Sequence, residues 1–494
     1  MTGSTPGSPG PHHRVVIVGA GFGGVALALR LRREGVEDVV VLEREDDLGG
    51  TWLVNTYPGC QCDVPSLLYS LSDAPNPEWS RTFAPQPEIE QYLRRVADRF
   101  DLRRQIRFGT ELLGADWDEA GQRWVVETSA GPLMSDVLVL AAGFLSEPAL
   151  PDIEGLDGFE GTVFHSARWR HDHDLTGERV AVIGTGASAI QFVPAIQPRV
   201  GRLTVFQRTP PWVVPRPDRP FRPWEHWLFA RSRVATRLSR ARIYWSRELL
   251  ALVFTRYPGL SRFAARGALA HLADQVPDEG LRARLTPDYE LGCKRVLLSN
   301  DYLPALGRPN TELVTEPIAR VLPHAVVTAD GTEYPVDTII LGTGFEATEP
   351  PIARRVRAAD GRTIREHWGG SMRAYLGTTL AEFPNLFMII GPNTGLGHSS
   401  MIFMIESQAN YVVDALKTMT ARNLTSVVVD PEVVDLFDQE IQRKLRRTVW
   451  STGCSSWYLD ASGRNTTLWP DFTWQYRQRT RRFDADRYRL TRAS

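Results

Sequence analysis

Two glycine clusters in this 494-residue chain have the spacing that phosphate binding needs. Gly19, Gly21 and Gly24 form a G-x-G-x-x-G turn, and Glu43 stands 24 residues past Gly19. In such a turn the first glycine permits a tight reversal. The second lets backbone approach a pyrophosphate, and the third lets a helix pack closely on a strand. The helix opening there offers free N–H groups and positive potential to the phosphates. A carboxylate ending the next strand accepts hydrogen bonds from ribose hydroxyls. The second cluster is Gly184, Gly186 and Ala189, with Thr185 and Ser188 between them. The residue 24 past Gly184 is Arg208, followed by Thr209. A carboxylate there would repel a ribose 2′-phosphate, whereas a guanidinium binds it through paired charged hydrogen bonds. The first site is therefore expected to take a dinucleotide with free ribose hydroxyls, and the second NADPH. Two dinucleotides in one chain imply electron transfer between them, and the usual partner of a hydride donor in such chains is FAD.

The elements that must hold these residues are legible around them. Residues 14–45 run from a β-branched stretch through the glycine turn and a helical stretch to a second β-branched run, and residues 178–209 repeat that order. This is βαβ architecture twice in one chain. DVLVLAAG (136–143) and DTIILGTG (337–344) each read as a buried strand followed by a small-residue turn, one before the second unit and one after it. The expected fold class is α/β, with two Rossmann-like dinucleotide-binding domains. An FAD host domain spans 14–147 and 338–494, and an inserted NADP domain spans 148–337. The Gly/Ser/Pro-rich residues 1–13 read as a flexible leader. Residues 222–285 read as a helical excursion carrying twelve Arg against five acidic residues, interleaved with aromatics such as Trp224, Trp227 and Trp245. The expectation there is a solvated subdomain whose Arg stems cover apolar surface; a membrane-surface or partner-binding face is the alternative.

Composition excludes several classes. At 43% hydrophobic and 23% charged residues the chain is neither disordered nor fibrous. Lys plus Arg is 57 against 58 for Asp plus Glu, so no electrostatic case for nucleic acid exists. No apolar run approaches the roughly 20 residues that span a bilayer, no protein partner is indicated, and a cytoplasmic protein is expected. The cysteines are Cys60, Cys62, Cys293 and Cys454. Four are too few for a disulfide scaffold, so reduced thiols are expected. Without a C-x-x-C pair a disulfide reductase is disfavoured. His171, Asp172, His173 and Asp174 have ligand-type side chains but read as a solvated loop, and no metal is expected.

Residues 159–170 read FEGTVFHSARWR, with Phe159, Gly161, His165 and Trp169 on the pattern F-x-G-x-x-x-H-x-x-x-W. This resembles the fingerprint of Baeyer–Villiger monooxygenases, the class B flavin monooxygenases. The family usually follows the Trp with Pro or Asp; here Arg170 stands, as in related enzymes that oxygenate sulfur or amine nitrogen. The resemblance covers nearly all of the chain after residue 13. Gly49, Gly50, Thr51 and Trp52, then Tyr57 to Asp63, with Tyr69 beyond, resemble the flavin-contact segment. Cys293–Lys294–Arg295 resembles the family's Lys-Arg pair, and Ser456 to Asp460 its mobile control loop, with Trp457 at the family's Trp. Residues 391–400 resemble the segment closing over the flavin, and Gly342 departs from the commoner A-T-G form.

The resemblance implies a ketone substrate, O₂, FAD and NADPH, with an ester or lactone formed through a C4a-peroxyflavin. Arg295 matches the catalytic arginine, suited to an oxyanion because it stays charged. Asp63 matches its carboxylate partner, and Lys294 is expected at the 2′-phosphate. The fingerprint residues are implied to couple cofactor binding to domain rotation. The alternative is a flavin monooxygenase acting on sulfur or nitrogen, which needs no oxyanion-stabilising arginine.

Overall fold

The β-branched runs become strands because alternate positions must bury on two faces, and here both faces are covered. A computed structural model describes residues 10–492. Most of the expected leader lies outside the described residues. Its last residues do not: strand His12–Val18 already pairs His12 with Met134 and His13 with Ser135, so ordered structure starts before residue 14.

The first sheet has eight strands. Strand His12–Val18 lies between the parallel strands Val39–Leu42 and Leu133–Leu140, with Val18 opposite both Leu42 and Leu140. Leu112–Asp118, Arg123–Thr128 and Leu133–Leu140 form an antiparallel meander, and Leu386–Met388 adds in parallel to Leu133–Leu140. Helix Phe22–Arg33 covers one face, with Val25, Leu27, Leu29 and Leu31 all buried in the core, and packs on the long helix Met401–Ala421. Each such side chain contributes about 1.5–3 kcal/mol on burial.

The second sheet is all parallel, ordered Thr311–Val314, Arg202–Phe206, Arg179–Ile183, Thr338–Leu341, Thr162–His165. Ile183 faces both Phe206 and Leu341, and Leu341 also faces His165, so the carboxyl ends align as a rim. Ligands of open α/β sheets bind at that rim. Strand Thr338–Leu341 therefore belongs to the inserted sheet. The expected crossing at 337/338 falls one strand too early, because a buried strand and its turn do not reveal which sheet will pair with them.

Residues 223–284 hold helices Pro223–Arg231, Arg233–Ala251, Ser261–Gln275 and Glu279–Arg284. Ser232 and Asp278 cap two of them by accepting from the Ala235 and Leu281 N–H groups. No helix among the described residues is long and apolar enough to cross a membrane.

Candidate active site

At the first glycine turn, Gly19 has φ +101°, and a Cβ there would lie 2.7 Å from the Ala141 carbonyl oxygen. A Cβ on Gly24 would come within 1.9 Å of the Gly19 oxygen, so only glycine lets the helix start so close to the strand. Gly50, at φ +54°, faces Gly21 across a slot; a Cβ on Gly50 would sit 3.0 Å from the Gly21 Cα. The helix beginning at Phe22 has no side-chain cap and no acidic residue in its first turn. A slot kept open by two glycines at an uncapped helix N-terminus fits a pyrophosphate. Glu43 is buried beside it, accepting from the Ala20 N–H at 2.7 Å and the Glu45 N–H at 3.0 Å. Burial raises its pKa against the pull of those two bonds.

Gly50 leads into the short helix Thr51–Val54. Trp52 donates through Nε1 to the Tyr69 hydroxyl at 3.0 Å, and Tyr69 packs edge-on against Phe22. Thus Gly19, Gly21, Gly24, Glu43, Gly50, Thr51, Trp52 and Tyr69 come together around the start of one helix.

The second turn repeats the plan. Gly184 has φ +107°, and a Cβ there would lie 2.5 Å from the Gly342 carbonyl oxygen. Helix Ala189–Ile196 also starts uncapped, with Ser188 before it and no acidic residue in its first turn. A Cβ on Gly342 would meet the Ala189 Cβ at an ordinary contact distance of 3.5 Å, so the alanine of the commoner A-T-G form would also fit there. Thr185 donates to the Thr209 carbonyl at 3.3 Å. Arg208 is exposed at the rim, and Lys294 lies over the Tyr289 ring at 4.9 Å. Burial first, then repulsion from Arg208, lowers the Lys294 pKa. Two cations near enough to repel each other at a helix N-terminus fit a phosphate dianion.

Between the two turns lies the ion pair that sequence places 232 residues apart. Arg295 donates to one oxygen of Asp63, from Nε at 2.9 Å and from Nη2 at 2.5 Å. Their side chains are 31% and 28% exposed, so the pair is open to a ligand. Burial pushes the Asp63 pKa up, but Arg295, with Arg216 behind it, outweighs burial and holds the carboxyl below its usual range. Asp63 in turn raises Arg295 against the effect of burial.

Three supports of this pair escaped the sequence reading. Arg216 is buried and donates to the Cys62 carbonyl at 2.7 Å, which fixes the backbone just before Asp63. Gln191, on the second module's helix, accepts from the Tyr57 hydroxyl at 3.1 Å and the Gln61 N–H at 3.2 Å. Tyr458 is buried beside Arg295; burial pushes its pKa up to about 12, against the downward pull of the Arg295 charge and hydrogen bonding. A long-range contact by a single Arg, Gln or Tyr has no spacing signature; for Tyr458 alone the adjacent Trp457 offered a local hint.

Trp457 packs 6.0 Å from Phe144 and lines a cleft of about 320 Å³ with residues 345–349. His165 sits at the rim next to that linker, 5.8 Å from Phe345, and accepts from the Ala167 N–H through Nδ1. Burial lowers its pKa to about 4, so the imidazole is neutral. Trp169 packs on Phe164 and on Phe192, which meets Tyr57. The fingerprint thus bridges the inserted sheet and the Tyr57–Asp63 segment. Arg170 points away from this, in an exposed pair with Asp172. His171 bonds Thr56 and His173 bonds Thr338, and no cluster able to hold a metal occurs among the described residues.

One expectation fails. Cys293 and Cys454 form a disulfide, with Cα atoms 6.2 Å apart; only Cys60 and Cys62 are free, and both are buried. The bond ties the turn before Lys294 to the loop before Trp457. Spacing rules read local cysteine pairs, and this one spans 161 residues.

The Flavin-binding monooxygenase-like family matches residues 12–248. A Baeyer–Villiger monooxygenase from Streptomyces coelicolor is 53% identical over 97% of this chain and 93% of its own length. The closed crystal structure of cyclohexanone monooxygenase matches with a TM-score of 0.88 at 29% identity, covering 98% of this chain and 100% of that one. An OTEMO complex with FAD and NADP matches with a TM-score of 0.89 at 28% identity, over 97% and 100% of the two chains. Two nucleotide turns facing one arginine–carboxylate pair, on a fold and sequence shared along almost the whole length, place this chain in the Baeyer–Villiger monooxygenase family.

Proposed function

We propose that Arg295, held by Asp63, is the oxyanion-stabilising group of an FAD- and NADPH-dependent oxidation in which a ketone, O₂, NADPH and a proton give an ester or lactone, NADP⁺ and water. FAD, when bound, would supply hydride acceptance from NADPH and oxygen transfer to the substrate. The chain's own residues do the rest. The turn Gly19–Gly24 with Gly50 seats the FAD pyrophosphate, and Glu43 takes its ribose. Thr51, Trp52 and Tyr69 wall the flavin. Gly184, Thr185, Gly186 and Ser188 seat the NADPH pyrophosphate; Arg208, Thr209 and Lys294 hold its 2′-phosphate. Trp457 would contribute to holding NADP(H).

A guanidinium has five N–H donors, and Asp63 uses two of those on Arg295. The remaining donors would bind negative charge as it develops on the substrate oxygen, without surrendering a proton. Asp63 holds the guanidinium plane in one orientation. The first sheet would carry FAD and the inserted second sheet NADPH, with the Tyr57–Asp63 segment bonded to the second module's helix through Gln191. The protein's place is the cytoplasm, where NADPH is regenerated; fractionation of producing cells tests this.

The observation that carries the reading is the partly exposed Asp63–Arg295 pair between the two turns. The test is ester formation from a panel of ketones by wild type and by Arg295→Ala, with flavin content and NADPH oxidation measured alongside. Flavin-loaded Arg295→Ala that still forms ester at the parent rate refutes the assignment.

A further inference from the structure

Eleven of the eighteen exposed large apolar side chains among the described residues fall between positions 224 and 269. Trp224, Trp227, Val234, Leu238, Trp245 and Leu249 are each 57–66% exposed. On helix Arg233–Ala251 the steps 234, 238, 245, 249 fall within a stripe about 60° wide at 100° per residue. That stripe faces outward because the other side of the helix is anchored. Arg240 donates to the Leu67 and Ser70 carbonyls, the Tyr244 ring stacks on Phe403 at 4.9 Å, and Glu248 accepts from Thr473 at 2.7 Å and 2.9 Å. The expectation that arginine stems would cover this surface holds only locally: the Arg231 guanidinium lies over Trp227 and that of Arg266 over Phe263.

The charge around the stripe is one-sided. The ion pairs of the excursion join Arg282 to its own Glu279 and tie Glu225, Glu248 and Arg256 to Arg219, His398 and Asp471 outside it. Arg231, Arg233, Arg237, Arg242, Arg262 and Arg266 have no carboxylate partner among the described residues. An apolar stripe with Trp245 at its middle, two more exposed tryptophans on the preceding helix, and unpaired guanidiniums on the same elements need an occupant that is both apolar and anionic. A second copy would bring a like-charged rim against this one. A bilayer of acidic phospholipids supplies acyl chains for the stripe and phosphates for the arginines at the same depth.

We propose that the helical face 224–266 docks the protein on the surface of an anionic lipid bilayer, with helix Arg233–Ala251 lying in the membrane plane. At 19 residues the helix is about 28 Å long, and docking leaves the protein peripheral.

The test is co-sedimentation of the FAD-loaded enzyme with vesicles of phosphatidylglycerol and phosphatidylcholine, against vesicles of phosphatidylcholine alone. Binding to the anionic vesicles, weakened by salt, is expected. Arg233→Ser with Arg237→Ser should weaken it about 25-fold, at about fivefold per arginine near a charged surface. Leu238→Ser with Trp245→Ser should also release the protein, while ketone oxidation without vesicles and the melting temperature stay at wild-type values. Wild-type protein that ignores anionic vesicles, or binds neutral ones equally well, overturns the proposal. So does a stable dimer in light scattering that Trp245→Ser dissociates, since the face would then pair with its own copy.

Discussion

Removing the Arg295 guanidinium tests the site most directly. Two of its N–H groups are spent on one Asp63 oxygen at 2.9 Å and 2.5 Å, leaving the others for the substrate. Deleting a preorganised charge-stabilising donor costs about 10²–10³ in kcat, or about 2.7–4 kcal/mol. Arg295→Ala should therefore lose ester formation by that factor while still consuming NADPH and O₂, now releasing hydrogen peroxide. Asp63→Asn keeps the shape but removes the charge that orients the guanidinium, so it should fall between wild type and Arg295→Ala. The sign of the pH dependence follows from the Asp63 carboxyl being held below its usual range. Such a group contributes stability and orientation above the ordinary carboxylate pKa, and loses them only as pH falls through its lowered value. The ratio kcat/KM should thus show no inflection from Asp63 between about pH 5 and 9. The assay is gas chromatography of the ester beside NADPH absorbance and peroxide detection. Arg295→Ala making ester within about threefold of wild type, below the smallest loss expected of such a donor, would show that the charge is stabilised elsewhere.

Arg208→Ala should raise the KM for NADPH about 10- to 100-fold and leave that for NADH nearly unchanged, as a lost charged hydrogen bond of about 1.5–3 kcal/mol predicts; equal effects on both would remove Arg208 from the 2′-phosphate. Gly24→Ala would place a Cβ 1.9 Å from the Gly19 oxygen, so purified protein should be colourless; normal flavin content contradicts the close approach. Cys454→Ser opens a loop of 161 residues and should cost about 2–4 kcal/mol in denaturant unfolding, with more peroxide per NADPH because the loop before Trp457 is freed; an unchanged midpoint and coupling would mean the bond constrains neither. Burial lowers the His165 pKa to about 4, so the unfolded chain takes up its proton first; stability should drop as pH falls from about 6.5 to 4, and His165→Asn should flatten that slope.

The sequence alone located the two glycine turns, with Glu43 and Arg208 at matching strand ends, because phosphate-binding turns depend on glycines at fixed local spacing and each βαβ unit puts its charged strand end at a set distance from them. The βαβ periodicity likewise foretold parallel strands with helices on them. The pairing of Asp63 with Arg295 was implied by the family resemblance and not by any local spacing. Folding alone decided the rest. It set Arg216 behind Asp63, Tyr458 beside the pair and Cys293 on Cys454, contacts between residues far apart in the chain with no repeating pattern to announce them. It also assigned strand Thr338–Leu341 to the inserted sheet, because a buried strand is specified by its apolar faces while its neighbours are chosen only when backbone hydrogen bonds form across the whole sheet. The outward aromatic stripe of helix Arg233–Ala251 belongs to the same class. Amphipathic spacing marks a face, but which face the protein covers depends on what else packs there.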